Sequence, residues 1–115
     1  MNEPTIDRAT FDALAATAGA DFARELIDTF LDEAPGMLAE LRDALAADDA
    51  TRFRRAAHSL KSNGNTFGAL TLGALAKDLE LRGIPFARDA GGAAMTRLAD
   101  EYARVASALR ELRHA

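Results

Sequence analysis

Arg52 to Ala69 reads RFRRAAHSLKSNGNTFGA, and the spacing of its apolar residues decides the fold. At about 100° per residue, a helix over this stretch sets Phe53, Ala57, Leu60, Gly64 and Phe67 on one narrow stripe, the repeat of a packed helical seam. His58 falls roughly 140° from the middle of that stripe, so the spacing points its ring to water rather than into a core. Arg54, Lys61, Ser62 and Asn65 share its side of the helix. An exposed imidazole among cations and small polar groups points to a nucleophile for a phosphoryl group.

Local charge agrees. The chain is acidic, with 18 Asp and Glu against 14 Lys and Arg, yet no acidic residue occurs from Ala50 through Lys77. That span carries Arg52, Arg54, Arg55, Lys61 and Lys77. Cations beside an imidazole disfavour its protonated form, leaving the neutral ring whose nitrogen lone pair can attack phosphorus. The same cations compensate the charge of roughly −2 that a phosphoryl group brings. No carboxylate lies nearby in sequence to orient the ring or act as its base. The pattern therefore suits receiving and giving up a phosphoryl group better than acid–base turnover.

The residues from Ala57 to Glu80, AHSLKSNGNTFGALTLGALAKDLE, resemble the histidine phosphotransfer (HPt) domain family of two-component phosphorelays. The family signature is a His-x-Leu-Lys-small core followed by an aromatic or aliphatic residue, Gly and Ala. On that pattern His58 matches the phosphorylated histidine and Leu60 the buried leucine. Lys61 matches the lysine beside the phosphoryl group, and Phe67-Gly68-Ala69 the turn into the next helix. Ser62 departs from it, standing where many members have Gly; serine is also small, so close approach of a partner survives. The resemblance covers the central third of the chain by motif and nearly all of it by size and helix layout.

The rest of the chain supplies helices to hold this one. Thr5 or Asp7 is placed to cap a short first helix with Ile6, Phe11 and Leu14 as its apolar positions, preceded by Glu3 and Pro4 and ended by Gly19. Asp21 is placed to cap a long helix from about Phe22 to Ala46, with Leu26, Ile27, Phe30, Ala34, Leu38, Leu41 and Leu45 on its buried side. Pro35-Gly36 interrupts it, but the apolar repeat continues from Phe30 to Leu38 and Leu41, which predicts one kinked helix rather than two. Asp48-Asp49 turns the chain into the histidine helix. Leu72, Leu75, Ala76 and Leu79 give the next helix its inner face, closed by Gly83 and Pro85. Phe86 to Gly92 reads as an irregular connection. From about Ala93 to Arg113 a last helix places Met95, Leu98, Tyr102, Val105, Leu109 and Leu112 on a core stripe. The expected fold is all-α: an antiparallel four-helix bundle with a short extra N-terminal helix and a kink near Pro35. Gly64 on the inner stripe reads as a point of close helix approach.

At 115 residues the chain is a single domain, residues 1–115. Nearly half its residues are apolar and charges are plentiful, an ordinary globular composition. The absence of cysteine excludes disulfides and thiol chemistry and fits a cytoplasmic setting. No apolar run approaches the ~20 residues needed to span a bilayer, and the N-terminus lacks the regions of a signal peptide. The acidic balance argues against nucleic-acid binding. Met1 and the compact boundaries favour a free-standing protein, with monomer as the default.

The resemblance implies a relay: His58 accepts a phosphoryl group from a receiver-domain aspartate and passes it to another receiver. Its partners are then response-regulator receivers, a hybrid histidine kinase, or both, and these supply the acidic pocket and divalent metal. No cofactor or metal is expected of this chain, and it shows no GxxxxGK[ST] element for ATP. It is therefore expected to be a carrier without ATP-dependent kinase activity of its own. Lys61 and Arg54 are expected to stabilise the transferring oxygens, since phosphoryl transfer depends on placement and electrostatics. Ser62 and Asn65 are expected to keep a low docking surface around the ring. Three other readings compete: the phosphoacceptor domain of a chemotaxis-type histidine kinase, charged from ATP; a scaffold bundle with unmodified His58; and a hydrolase or metal enzyme. Against the last, the only other histidine is His114, near the terminus, and one histidine without clustered carboxylates makes neither a zinc site nor a triad.

Overall fold

The computed structural model describes residues 5–114. The expected approach through Glu3 and Pro4 lies outside the described residues. Five helices follow in order: α1 (Arg8–Ala18), α2 (Ala20–Ala46), α3 (Ala50–Thr66), α4 (Leu70–Arg88) and α5 (Ala93–His114), with no strand among the described residues. Short connections reverse the chain between α2, α3, α4 and α5, and each packs on its neighbours around one core, giving the expected four-helix bundle. The stripe on α3 is that core's centre: Phe53, Ala57 and Leu60 are wholly buried, with Gly64 and Phe67 beside them. Phe30 of α2 packs against Phe67, ring centroids 5.4 Å apart, and against Tyr102 of α5 at 6.1 Å, tying three sides of the bundle together.

Where helices start follows cap chemistry. The Asp7 carboxylate accepts from the Thr10 N–H at 3.1 Å and caps α1, while that of Asp49 accepts from the Arg52 N–H at 3.1 Å and caps α3. Asp21 does not cap α2. Gly19 takes the cap position with φ at 94°, α2 begins at Ala20, and Asp21 lies in the first turn, where its charge favours the helix dipole. In all, α2 is a single helix of 27 residues that runs through Pro35, because its apolar face stays on the core on both sides of the proline.

Gly83 breaks α4 as expected, with φ 76° and ψ −164°, but the chain resumes a helical turn through Pro85 to Arg88. Phe86 to Arg88 are therefore helical, correcting the irregular connection expected from Phe86. Burial of Ile84 and Ala87 holds this extra turn on the bundle. Only Asp89–Gly92 is a tight, irregular link, with Ala90, Gly91 and Gly92 all at positive φ.

The first helix lies across the turn between α3 and α4. The Asp7 N–H donates to the Gly68 carbonyl at 2.7 Å. Gly68 has φ at 83°, and a Cβ there would fall 2.6 Å from the Asp7 carbonyl oxygen, so both conformation and space call for glycine. Ile6 and Phe11, both buried, fasten the same end.

Candidate functional site

Asp49 starts α3 in a fixed phase, and burial of Ala57 and Leu60 on either side of His58 leaves its side chain facing out, 58% exposed. One edge of the ring is nevertheless held. His58 Nδ1 lies 2.7 Å from Glu80 Oε2 on α4, and the other oxygen of that carboxylate accepts from Lys61 Nζ at 2.8 Å. A carboxylate only accepts, so in the neutral imidazole Nδ1 carries the proton and the lone pair sits on Nε2. Nε2 has no hydrogen-bond partner among the described residues. The Lys61 hydrogen bond holds the Glu80 carboxyl below its ordinary 4.5; partial burial opposes this and the His58 contact adds to it. Glu80 is thus an anion across neutral pH.

This overturns one expectation. The acid-free span from Ala50 to Lys77 suggested that no carboxylate orients the ring, but the antiparallel return of α4 delivers Glu80 from beyond it. A signal for it was present in the tight turn at Phe67-Gly68-Ala69. Two close helices at such a turn run in fixed register, and Asn65 covers Gly73, where a Cβ would fall 2.0 Å from its Oδ1. His58 is seven residues back from Asn65 and Glu80 is seven on from Gly73, so the same register faces one with the other.

The remaining expected residues divide. Arg54 lines a cavity of about 390 Å³ with Arg55, His58, Ser59 and Glu80, and neither arginine forms an ion pair among the described residues. Lys61 is not the freely exposed cation that its place in sequence suggested: its side chain is 24% exposed and bound to Glu80. Ser62 and Asn65 are exposed on the same face but lie further along α3, outside that cavity. Arg55 and Ser59 join the site unforeseen, because the sequence stripe marks the core face and not which neighbouring helix shares the rim. His114 is exposed at the end of α5, away from all of this. Among the described residues no three His, Asp or Glu side chains converge as metal ligands, and no helix is long and apolar enough to cross a membrane.

An all-helical bundle that presents one oriented, accessible imidazole defines a histidine phosphotransfer module, and the Hpt domain family matches residues 25–114 of the chain. The chain belongs to that family, whose role is histidine phosphotransfer in two-component signalling. Its structure is similar to the histidine-containing phosphotransfer protein B (HptB) from Pseudomonas aeruginosa PAO1. The TM-score is 0.88 at 27% identity, over 98% of this chain and 97% of that one. It shares its fold with the HPT domain of the Hpt sensor hybrid histidine kinase from Shewanella, TM-score 0.73 at 20% identity, over 94% and 92% of the two chains. No curated protein is similar enough to count as a relative.

Proposed function

We propose that the chain is a relay intermediate: His58 takes a phosphoryl group from a receiver-domain aspartate and yields it to the aspartate of another receiver. The observation that carries this is the His58 ring, more than half exposed and oriented through Nδ1, with Nε2 open. In the forward step the Nε2 lone pair attacks phosphorus, the aspartyl P–O bond breaks, and the donor carboxylate leaves with that electron pair. No proton need move. The ring takes up positive charge shared with Nδ1–H, and Glu80 faces that charge, much as an orienting carboxylate steadies an imidazolium. The return step breaks the P–N bond and restores the neutral ring.

Arg54 supplies positive charge at the rim for the transferring oxygens, and Lys61 does so by turning from Glu80 to the phosphoryl group. Ser62 and Asn65 keep the surface beyond the ring low for the incoming domain. The partner brings the acidic pocket and its divalent metal, so this chain acts as a carrier and not as a kinase. Exposed small residues around His58 fit one receiver at a time, with the chain working as a cytoplasmic monomer.

The test is labelling by a receiver charged with radioactive acetyl phosphate. The label should be acid-labile, absent from His58→Gln and present in His114→Gln. A His58→Gln chain that labels like the wild type rules out the assignment.

A further inference from the structure

Beside the candidate site a second groove, of about 530 Å³, runs between α2 and α3. Glu33, Gly36 and Met37 line it from α2, and Arg55, Ala56 and Ser59 from α3, while Glu40 and Arg52, also in its lining, pair between the two helices at 2.6 Å. Arg55 and Ser59 also line the His58 cavity, so the two hollows form one surface. A domain whose aspartate reaches Nε2 approaches over this shared rim of Arg55 and Ser59.

Gly36 is the anomaly in that groove. Glycine and proline are the residues least suited to a helix interior, and Pro35-Gly36 stands in the middle of α2. Other glycines have a reason within the chain. Gly19, Gly68, Gly83, Gly91 and Gly92 are at positive φ, a Cβ on Gly73 would meet the Asn65 carboxamide, and one on Gly64 would touch Leu72 at 3.4 Å inside the core. Gly36 has neither: its φ is not positive, and a Cβ there would meet nothing within 4 Å. Nothing in the chain's own packing calls for a missing side chain at this place. On either side of it, Glu33 and Arg55 form no ion pair among the described residues, so one wall offers an unpaired anion and the other an unpaired cation.

We infer that Gly36 is a docking and specificity residue for phosphotransfer at His58: the receiver seats an apolar side chain over Gly36, Met37 and Ala56, with a cationic group toward Glu33. The identity of this occupant rests on the relay reading above. Met37, flexible and polarisable, adapts the floor to that side chain. The flanking charges select among receivers more than they add affinity.

Gly36→Ala and Gly36→Gln test this, because both residues favour a helix more than glycine does. Both variants should melt at or above the wild-type temperature, and phosphoramidate, which needs no docking, should label His58 in both. With the receiver that charges the wild type fastest, Gly36→Ala should raise KM severalfold with little change in kcat, because even a methyl group would stand in the seat. Gly36→Gln should raise KM at least tenfold with little change in kcat. A lower melting temperature in Gly36→Ala would mean that the glycine serves the turn at Pro35, which overturns the proposal. So would normal transfer by Gly36→Gln, or sedimentation showing a wild-type dimer that this variant dissociates. A wild-type chain that phosphoramidate labels and no charged receiver does overturns the relay reading itself, and the occupant with it.

Discussion

Glu80 Oε2 stands 2.7 Å from His58 Nδ1, although 22 residues separate the two in the chain. The contact is made by helix register, and it leaves Nε2 as the ring nitrogen with no hydrogen-bond partner among the described residues. It also gives Lys61 an anion to hold while no phosphoryl group is present.

Removing that anion should slow transfer without unfolding the bundle. Glu80→Ala is expected to lose roughly tenfold or more in rate, the scale of one charge-assisted hydrogen bond, and Glu80→Gln less, because its carbonyl still accepts from Nδ1–H. Ring nitrogen chemical shifts provide the check. The wild type and Glu80→Gln should show mainly the Nδ1–H tautomer, and Glu80→Ala a mixture.

Acid should dissolve the arrangement only well below neutrality. Glu80 has its folded pKa depressed, so whatever its contacts contribute is present above 4.5 and lost as pH falls through the lower folded value. A carboxyl-carbon titration should place its midpoint below 4.5, and Lys61→Met should bring it back up. A wild-type midpoint at or above the ordinary value would show that Lys61 and Glu80 are apart in solution. Asp28 follows the same sign. Hydrogen bonding to Arg113 depresses its pKa, so that contribution holds above 3.8, and Arg113→Ala should raise the midpoint.

Gly68 at the α3–α4 turn and Gly73 in the first turn of α4 should respond to different degrees. Gly68→Ala would hold a Cβ at positive φ and 2.6 Å from the Asp7 backbone, so it should cost about 1–2 kcal/mol from conformation alone and lower Tm by at least about 5 °C. Gly73→Ala meets the Asn65 carboxamide, Oδ1 at 2.0 Å and Cγ at 2.7 Å, but no backbone; Asn65 is exposed and its side chain can turn to solvent, so Tm should fall less than in Gly68→Ala. Thermal melts of the two variants side by side distinguish these outcomes.

Bulk at Ser62 should act on the partner and not on the fold. Ser62 is exposed, so Ser62→Trp should keep its helical circular dichroism while transfer from a receiver falls at least tenfold. Normal transfer would remove Ser62 from the docking surface.

Much of this was legible in the residues. The stripe from Phe53 to Phe67 marks the core, and Asp7 and Asp49 mark helix starts, because both signals are local: a repeat of about 3.6 and a side chain bonding three residues on. Asp21 misled because its own dipole-favoured place in the first turn looks the same in sequence as a cap. Lys61 and Glu80 escaped for a different reason. Their pairing depends on which turn of α4 lies opposite which turn of α3, and charge counted along one strand of sequence cannot contain it. Arg55 and Ser59 likewise become part of a rim only once α2 and α4 flank α3.

The clasp between Asp7 and Gly68 carries this further. The family match begins at residue 25, so Asp7 lies before the matched residues and Gly68 within them. Grafting the matched portion alone onto another protein would leave the Gly68 carbonyl without its donor. The hairpin would then rest on its own turn bonds, from the Gly68 N–H to the Asn65 carbonyl and from the Ala69 N–H to the Gly64 carbonyl, so a cut far away in sequence would reach the support of the histidine helix.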